Sequence, residues 1–433
     1  MSRRLFFRGA RVVDPASQRD EVGDVLVGDG RIEGVGSGLD SKGATVVDCD
    51  GMVLAPGLVD LHAHLREPGR EDKETVETGS RAAAVGGYTA VCAMPNTEPV
   101  TDNAGIVAEV RALAERAGIC AVYPAGAITR GLEGEALTDI GEMAQAGVRL
   151  FTDDGRCVQS SRIMRLALEY SRPFDVVIGQ HSQDEALSEG WQMHEGHYSA
   201  LLGLSGAPAE AEEIIVARDI ALARLTGGRL HITHVSSAGT VELIRQAARR
   251  QLPLTADVTP HHLALADEDL VTYDTNLKVN PPLRSVEHRD GLRDGLAEGL
   301  IDAVATDHAP HAVEEKEQEF DQAPPGTTGL ETALAVVLTE LVEPGILDLA
   351  TALRRMSTGP AHILRLDDQG GPLEPGSAAN LMVFDPAAEW TVEPGGFESK
   401  SRNSAFLGRT LRGRVVHTVF RGDLVVHEGK AQK

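Results

Sequence analysis

Short apolar stretches alternate with amphipathic helical stretches through the middle of the chain. Strand side chains alternate between two faces, whereas a helix repeats about every 3.6 residues, so the period distinguishes the two elements. The pattern predicts strands at 52–59, 88–94, 122–127, 148–152, 176–180, 230–235, 254–258 and 301–306, separated by helices such as 75–85, 210–224 and 240–250. About eight strand–helix units favour a parallel (β/α)8 barrel, whose chemistry gathers at the carboxyl ends of the strands.

Both ends of the chain have a different pattern. Residues 1–54 and 366–433 contain short β-branched runs separated by glycine turns. Neither end alone has enough strands to bury both faces of a sheet, so the two are expected to combine in one small β-sandwich. The predicted organisation is therefore α/β: a composite β-sandwich of residues 1–54 and 366–433, and a barrel of residues 55–365.

The chain is acidic, with a formal net charge of −24 over 433 residues. This charge argues against nucleic acid or an anionic membrane surface as a partner, because both are themselves negative. An anionic substrate would need a locally positive pocket, supplied by metal or arginine. The four cysteines are widely spaced without a CxxC pair, which predicts reduced thiols. No apolar run has the length of a signal peptide or membrane span, so a cytoplasmic protein is expected.

Histidine and aspartate side chains follow five of the predicted strands. His62 and His64 are two residues apart, so both imidazoles are expected on one face. Four later strands are followed by Asp153 and Asp154, His181, His234, and Asp307. A single histidine near a strand end is more often a hydrogen-bonded core residue. The joint occurrence at one barrel mouth instead predicts a site for one or two divalent metals, with nitrogen and oxygen ligands suited to zinc.

Five other histidines are set apart from this group. His231 lies an odd number of residues before the candidate ligand of its own strand, so it is expected to face the opposite way. His194 and His197 belong to a segment without a strand pattern and are predicted at the surface. His261 and His262 follow a strand and are expected to line the pocket without a ligand role.

Nine motifs along the chain resemble those of one enzyme family. They are GLVDLHAHLREPG (57–69), MPNT (94–97), FTDDGR (151–156), HSQDE (181–185), HITHVSS (231–237), VTPHHL (258–263), NPPLR (280–284), DHAPH (307–311) and PGTTGLET (325–332). On this set the chain closely resembles the class I bacterial dihydroorotases of the cyclic amidohydrolase superfamily, nearly end to end. The resemblance implies a distorted (β/α)8 barrel with a β-sandwich from both termini. It also implies interconversion of N-carbamoyl-L-aspartate and L-dihydroorotate in pyrimidine (UMP) biosynthesis.

The resemblance implies six metal ligands: three for a first zinc, two for a second, and one that bridges both. In that order they are His62, His64 and Asp307, then His181 and His234, and finally Asp154. Two zincs are favoured over one, and Asp307 is also implied as the catalytic acid/base. Strand alternation does not decide whether Asp153 or Asp154 is the bridging ligand, and the motif alone favours Asp154. Many relatives bridge their metals with a carbamylated lysine, so the absence of lysine from residues 148–155 favours the aspartate-bridged subtype.

The resemblance also implies the substrate contacts. Arg66, Asn96 and His311 would hold the substrate carboxylate, with His64 beside them. The pyrimidine side would be formed by Asn280, Pro325 and Gly326. Arginine suits a carboxylate because its planar guanidinium donates two parallel hydrogen bonds.

Several alternatives stay open. The first is another cyclic amidohydrolase, similar to hydantoinases or allantoinases. The second is an inactive scaffold that binds aspartate carbamoyltransferase, although such relatives tend to lack the zinc ligands present here. The sequence also leaves open a homodimer and a complex of the active enzyme with aspartate carbamoyltransferase. Residues 312–325, acidic and then proline-rich, are either a lid over the site or a static loop.

Overall fold

The computed structural model describes residues 4–432, which contain nineteen strands and thirteen α-helices. The strands are β1 Arg4–Asp14, β2 Arg19–Gly28, β3 Arg31–Gly36, β4 Ala44–Asp48, β5 Val53–Pro56, β6 Leu58–Ala63, β7 Tyr88–Ala93, β8 Ala121–Pro124, β9 Leu150–Phe151, β10 Val177–Gln180, β11 Met193–His194, β12 Gly206–Ala207, β13 Leu230–Ile232, β14 Leu254–Val258, β15 Ala303–Val304, β16 Leu381–Thr391, β17 Thr410–Phe420, β18 Asp423–His427 and β19 Lys430–Ala431. The helices are α1 Val76–Val85, α2 Ala104–Ala117, α3 Ile140–Gln145, α4 Ser161–Ser171, α5 His197–Leu202, α6 Glu210–Thr226, α7 Ala238–Ala248, α8 Pro260–Ala264, α9 Val286–Ala297, α10 Val313–Lys316, α11 Ala333–Val337, α12 Leu349–Leu353 and α13 Gly359–Leu364.

Eight parallel strands form a closed barrel. One arc has the order β6–β7–β8 and the other β9–β10–β13–β14–β15. Single parallel bridges join the arcs, from Gly126 to Phe151 on one side and from Ala63 to His308 on the other. The predicted distorted (β/α)8 barrel is confirmed, and its regular pairing is interrupted at these two seams.

The apolar run at 52–59, predicted as one strand, is divided at Gly57 into β5 and β6. Gly57 N donates to Asn380 O at 3.0 Å, and the next amide, Leu58 N, donates to Gly87 O at 2.9 Å. The backbone therefore leaves the terminal sheet and enters the barrel within one residue. A Cβ atom at Gly57 would lie 2.3 Å from the side chain of Thr89, so only glycine fits at this crossing.

Strands from both chain ends belong to one nine-stranded sheet. Its order is β19–β18–β17–β16–β5–β1–β2–β3, with β4 paired to β1. The sheet curls until its edge strand β3 meets the segment before β16, where Ile32 N donates to Ser377 O at 3.0 Å. At this closure a Cβ atom on Gly422 (φ +82°) would lie 2.6 Å from Gly30 Cα. The two termini thus enclose a common apolar core, while the predicted domain boundaries at residues 54 and 366 stay a prediction.

Side chains cap several barrel helices at the point where the loop after a strand ends and the helix begins. Thr75 caps α1, Asn103 caps α2 and Ser237 caps α7, each accepting a hydrogen bond from an amide of the first turn. These caps satisfy N–H groups that a helix leaves unpaired at its start. None of the helices in residues 4–432 is long and apolar enough to cross a membrane.

Candidate metal centre and active site

The six predicted metal ligands meet at the carboxyl ends of five barrel strands. His62 lies in β6 and His64 immediately after it, while Asp154, His181, His234 and Asp307 follow β9, β10, β13 and β15. All six are buried. The carboxyl ends of parallel barrel strands open on one face, which explains why residues so distant in sequence converge.

Asp154 lies at the middle of this group. Its Oδ1 is 3.2 Å from His62 Nε2, 3.5 Å from His234 Nε2 and 3.8 Å from His181 Nδ1. Its other oxygen, Oδ2, is 3.4 Å from His64 Nε2. One carboxylate therefore lies within 4 Å of all four histidines.

Asp307 approaches the same group from the last barrel strand. Its Oδ1 lies 3.2 Å from His64 Nε2 and 3.5 Å from His62 Nε2. Asp307 has φ +46° and His234 has φ +35°, values that non-glycine residues rarely adopt. Such backbone strain persists where the surrounding structure fixes it, and it clusters at functional sites.

The donor atoms of this centre fit a divalent metal. Asp154 Oδ1 and His62 Nε2 are fully buried without a hydrogen-bond partner among the described residues. A buried polar atom without a partner is costly, and a cation between these atoms would satisfy them. Two groups have ligand atoms within 4.8 Å of one another: His62, His64 and Asp154, and Asp154, His181 and His234. Imidazole nitrogen and carboxylate oxygen are donors that zinc accepts.

Hydrogen bonds at the far ring nitrogens orient two of the histidines. His64 Nδ1 lies 2.9 Å from Asn96 Oδ1, which leaves Nε2 facing the carboxylates. His181 Nε2 lies 3.0 Å from Gln183 Oε1, and Gln183 Nε2 donates to Ser188 Oγ at 2.9 Å. Because the Gln183 amide nitrogen is bonded to Ser188, its oxygen faces His181 and accepts the proton on Nε2. The His181 Nδ1 lone pair is then directed at the centre, as a metal ligand requires.

The two adjacent aspartates after β9 face different ways. Asp153 accepts hydrogen bonds from Thr129 N, at 2.9 Å, and from Thr129 Oγ1. Burial raises the pKa of Asp153, and these hydrogen bonds oppose the shift. Asp154 alone faces the histidines, a choice that strand alternation leaves undecided because both residues lie past the strand end.

The centre holds strongly perturbed charges. Burial opposes protonation of His62, but the carboxylates of Asp154 and Asp307 raise its pKa to about 10. Burial likewise opposes ionisation of Asp307, yet the charge on His62 and the hydrogen bond with His64 hold the Asp307 pKa well below its ordinary value. Both carboxylates therefore attract a cation, and a metal ion would replace the proton on His62.

Known proteins resemble the whole chain. A family model described as dihydro-orotase-like matches residues 51–240. A dihydroorotase from Streptomyces coelicolor is 51% identical over 99% of this chain and 100% of its own length, and one from Anaeromyxobacter sp. (strain K) is 50% identical over 100% of both. The chain belongs to the dihydroorotase family. Among solved structures, the L-hydantoinase (dihydropyrimidinase) from Arthrobacter aurescens is similar with a TM-score of 0.89 at 26% identity, covering 100% of this chain and 98% of its own.

Residues that the dihydroorotase resemblance implies at the substrate carboxylate lie beside the first histidine pair. Asn96 contacts His64, as described above. Arg66 Nε donates to Pro310 O at 3.1 Å, which directs the guanidinium along the loop that carries His311. Burial lowers the pKa of Arg66 to about 10, so the side chain remains charged at neutral pH.

Residues implied at the pyrimidine lie beside the second histidine pair. Asn280 Nδ2 is 3.3 Å from His181 Nε2, and Asn280 Oδ1 is buried without a hydrogen-bond partner among the described residues. Asn280, Pro325 and Gln183 line an open cavity of about 410 Å³ that borders the centre. Gly326, the residue after Pro325, lies against His311, because a Cβ atom on it would be 2.8 Å from His311 Nε2. The two groups of implied substrate contacts thus meet at His311 and Gly326.

One histidine prediction is wrong. The sequence predicts both His194 and His197 at the surface, and only His197 is exposed. His194 is buried in β11, where Arg284 Nη1 lies 3.3 Å from its Nδ1. Arg284 comes from a segment ninety residues away in sequence, so no local pattern reveals the contact.

His231 lies outside the centre, bonded through Nε2 to Asp257 Oδ2 at 2.8 Å. The sequence pattern predicts no role for Gln183, although its position two residues after His181 is a signal for a supporting residue.

The loop at 312–325 contains α10 and is bonded on both sides. Lys316 Nζ donates to Thr275 O at 2.9 Å and to Pro324 O at 2.8 Å. Glu315 accepts from Lys73 Nζ at 2.6 Å and lies 3.1 Å from His311 Nδ1. The loop therefore contacts a residue implied at the substrate, and its role as a lid stays a prediction.

Proposed function

We propose that the protein is a zinc-dependent enzyme that interconverts N-carbamoyl-L-aspartate and L-dihydroorotate in pyrimidine biosynthesis. The observation that carries the proposal is the position of Asp154, which lies within 4 Å of all four histidines, two of which also lie within 4 Å of Asp307. Membership of the dihydroorotase family supports the substrate assignment. Residues 55–365 are the proposed catalytic barrel.

Two zinc ions are proposed for this centre. His62, His64 and Asp307 would hold one ion, His181 and His234 would hold the other, and Asp154 would bridge them. The two triads of closely spaced donor atoms that share Asp154 support this division. Bound zinc lowers the pKa of a coordinated water from about 15.7 to about 7 and polarises a carbonyl oxygen.

Asp307 is the proposed acid and base. Its Oδ1 lies 3.2 Å from His64 Nε2 and 3.5 Å from His62 Nε2, at the carboxyl end of the last barrel strand. In ring opening it accepts the proton of the attacking water as the oxygen bonds to the ring carbonyl carbon. It then delivers that proton to the amide nitrogen as the C–N bond breaks. Ring closure follows the same proton path in reverse.

Arg66 is the proposed anchor of the substrate carboxylate, with Asn96, His64 and His311 beside it. Its guanidinium is half-buried, and a guanidinium is weakly hydrated and can donate two hydrogen bonds to one carboxylate. Opposite this anchor, Asn280 is proposed to bind the pyrimidine ring through its unpartnered Oδ1, with the Pro325 and Gly326 backbone beside it. An anchor at one end and an amide at the other would place the scissile bond next to Asp307.

A hydantoinase-like activity is the second candidate, because solved hydantoinases share this fold. The half-buried Arg66 favours dihydroorotate, which carries a carboxylate that hydantoin lacks. The test is to load the protein with zinc and measure ring opening of dihydroorotate, hydantoin and allantoin, together with zinc per chain. Dihydroorotate should react fastest by orders of magnitude, with two zincs bound. Preference for hydantoin or allantoin would refute the substrate assignment, and a metal-free, inactive protein would favour a scaffold.

A further inference from the structure

A segment from the carboxyl-terminal part of the chain crosses the catalytic face. Residues 398–405, here called the clasp, lie between β16 and β17. Glu398 N and Ser399 N each donate to the Glu331 carboxylate at 3.0 Å, and Lys400 N donates to Glu74 Oε1 at 3.0 Å. The clasp is thus bonded to the loops after β6 and β15, which also carry the implied substrate contacts.

Asn403 is the clasp residue nearest those contacts. Its Nδ2 donates to Ala309 O at 3.0 Å and to Gly326 O at 3.1 Å, while its Oδ1 accepts from His311 N at 3.0 Å. Two carbonyl partners on one side and an N–H partner on the other define the orientation of the amide. A single side chain, 5% exposed, therefore ties the 307–311 loop to the 325–328 loop.

The backbone of the clasp strengthens the same junction. Thr328 N donates to Asn403 O at 2.9 Å, and Thr327 Oγ1 donates to the same oxygen at 3.1 Å. Thr327 Oγ1 also accepts from Ala405 N at 2.8 Å. The loop around Gly326 is held by the clasp on both sides of Asn403.

We infer that Asn403 is a positioning residue for substrate binding: it fixes the His311 loop relative to the Gly326 loop without contacting the metal centre. The inference rests on the proposed function, which places the substrate between these loops. His311 is bonded on its other side to Pro325 O at 3.0 Å, so a shift of either loop moves the imidazole. A displacement of about 1 Å in such a positioning group can lower the rate about a hundredfold.

If Asn403 had only a structural role, its replacement would lower the stability of the fold without a specific effect on KM. Any buried asparagine stabilises the fold through its hydrogen bonds, and losing one lowers stability wherever it lies. Asn380 is a matched control, because it is 3% exposed, donates to Asp368 O at 2.7 Å and accepts from Arg421 N at 2.7 Å. Its backbone oxygen bonds Gly57 N at the amino end of β6, opposite the catalytic face.

The experiment compares Asn403→Asp with Asn380→Asp in the full, zinc-loaded protein. Each change keeps the accepting oxygen and replaces the donating amide nitrogen by an oxygen that faces carbonyl groups. For Asn403→Asp, KM for dihydroorotate should rise about tenfold or more, and kcat should fall less than KM rises, with zinc content unchanged. For Asn380→Asp, KM should stay within about twofold even though thermal stability falls.

Equal KM values in the two variants would overturn the positioning role. The role would also be overturned if the activity of Asn403→Asp fell only in proportion to the amount of folded protein. If Asn403→Asp does not fold, Thr327→Val tests the inference instead. It removes the hydrogen bonds of Thr327 Oγ1 with Asn403 O and Ala405 N and keeps the shape of the side chain. Its KM should rise about threefold, and an unchanged KM overturns the inference. Inactive zinc-loaded wild-type protein would refute the proposed function itself, and the inference with it.

Discussion

Replacing Asp307 by asparagine isolates the proton-transfer step. The variant keeps the size of the side chain and an oxygen that can face His64, but its amide cannot accept and return a proton. Because the remaining five ligand residues include Asp154, which lies within 4 Å of all four histidines, we expect both zinc ions to stay bound. The change should therefore affect turnover and leave the metal content at its wild-type value.

The size of the expected effect follows from the two proton transfers proposed for Asp307. A positioned general acid or base contributes about 10² to 10⁴ in rate, so we expect kcat to fall about 10³-fold, equivalent to about 4 kcal/mol in the activation barrier. KM should change little, because Asp307 bonds to neither Arg66 nor Asn280 among the described residues.

The assay measures dihydroorotate ring opening and zinc per chain in the same preparations. Asp302→Asn is the control, because Asp302 precedes the first residue of the same strand, β15, and accepts a hydrogen bond from Ala256 N at 2.9 Å. Asp302→Asn should keep near-wild-type turnover. More than about a tenth of wild-type turnover in zinc-loaded Asp307→Asn would refute the acid/base assignment. Loss of zinc would contradict the expectation that the other five ligands suffice.

Three further changes test the remaining parts of the site. Removing zinc with a chelator should abolish activity and lower the melting temperature, because an ion at a thousand times its Kd stabilises the fold by about 4 kcal/mol. Calorimetry with and without added zinc measures the melting temperature, and an unchanged value would contradict the prediction. Arg66→Lys keeps the charge but loses the paired hydrogen bonds, so KM for dihydroorotate should rise about tenfold; an unchanged KM rules out the anchor role. Gly326→Ala places a Cβ atom 2.8 Å from His311 Nε2 at φ +142° and should raise KM, whereas Gly36→Ala, at φ +132° with no atom within 4 Å, should not. Equal KM values in these two variants would show that the contact with His311 has no effect.

Local patterns in the sequence predict much of the centre. His62 and His64 share a face because strand side chains alternate, and they lie at the barrel mouth because the strand ends there. The same reasoning applies to His181, which follows β10 directly. These predictions need only the direction of a strand and the position of its end, both of which a short stretch of sequence contains.

Contacts between distant segments are not visible in such patterns. Asn403 is separated by 77 to 94 residues from the groups that its side chain bonds, and nothing in residues 398–405 indicates which loops they meet. The division of the 52–59 run at Gly57 depends on Asn380 and Gly87, which directly precede strands of two different sheets, β16 and β7. The choice between Asp153 and Asp154 depends on Thr129, which accommodates one carboxylate and leaves the other for the histidines.

The acidity of the chain is compatible with an anionic substrate because charge acts locally at a buried site. Exposed charges are screened beyond about 8 Å at physiological salt, so most of the net charge of −24 contributes little at the barrel mouth. Within the buried centre the effective dielectric is lower and nearby charges dominate. There, two divalent ions would outweigh the carboxylates of Asp154 and Asp307, and Arg66, still charged with a pKa of about 10, adds to the positive potential. A substrate carboxylate would therefore meet attraction from these ions and from Arg66 that surface acids do not cancel, and its binding would depend on these few local groups rather than on the overall charge.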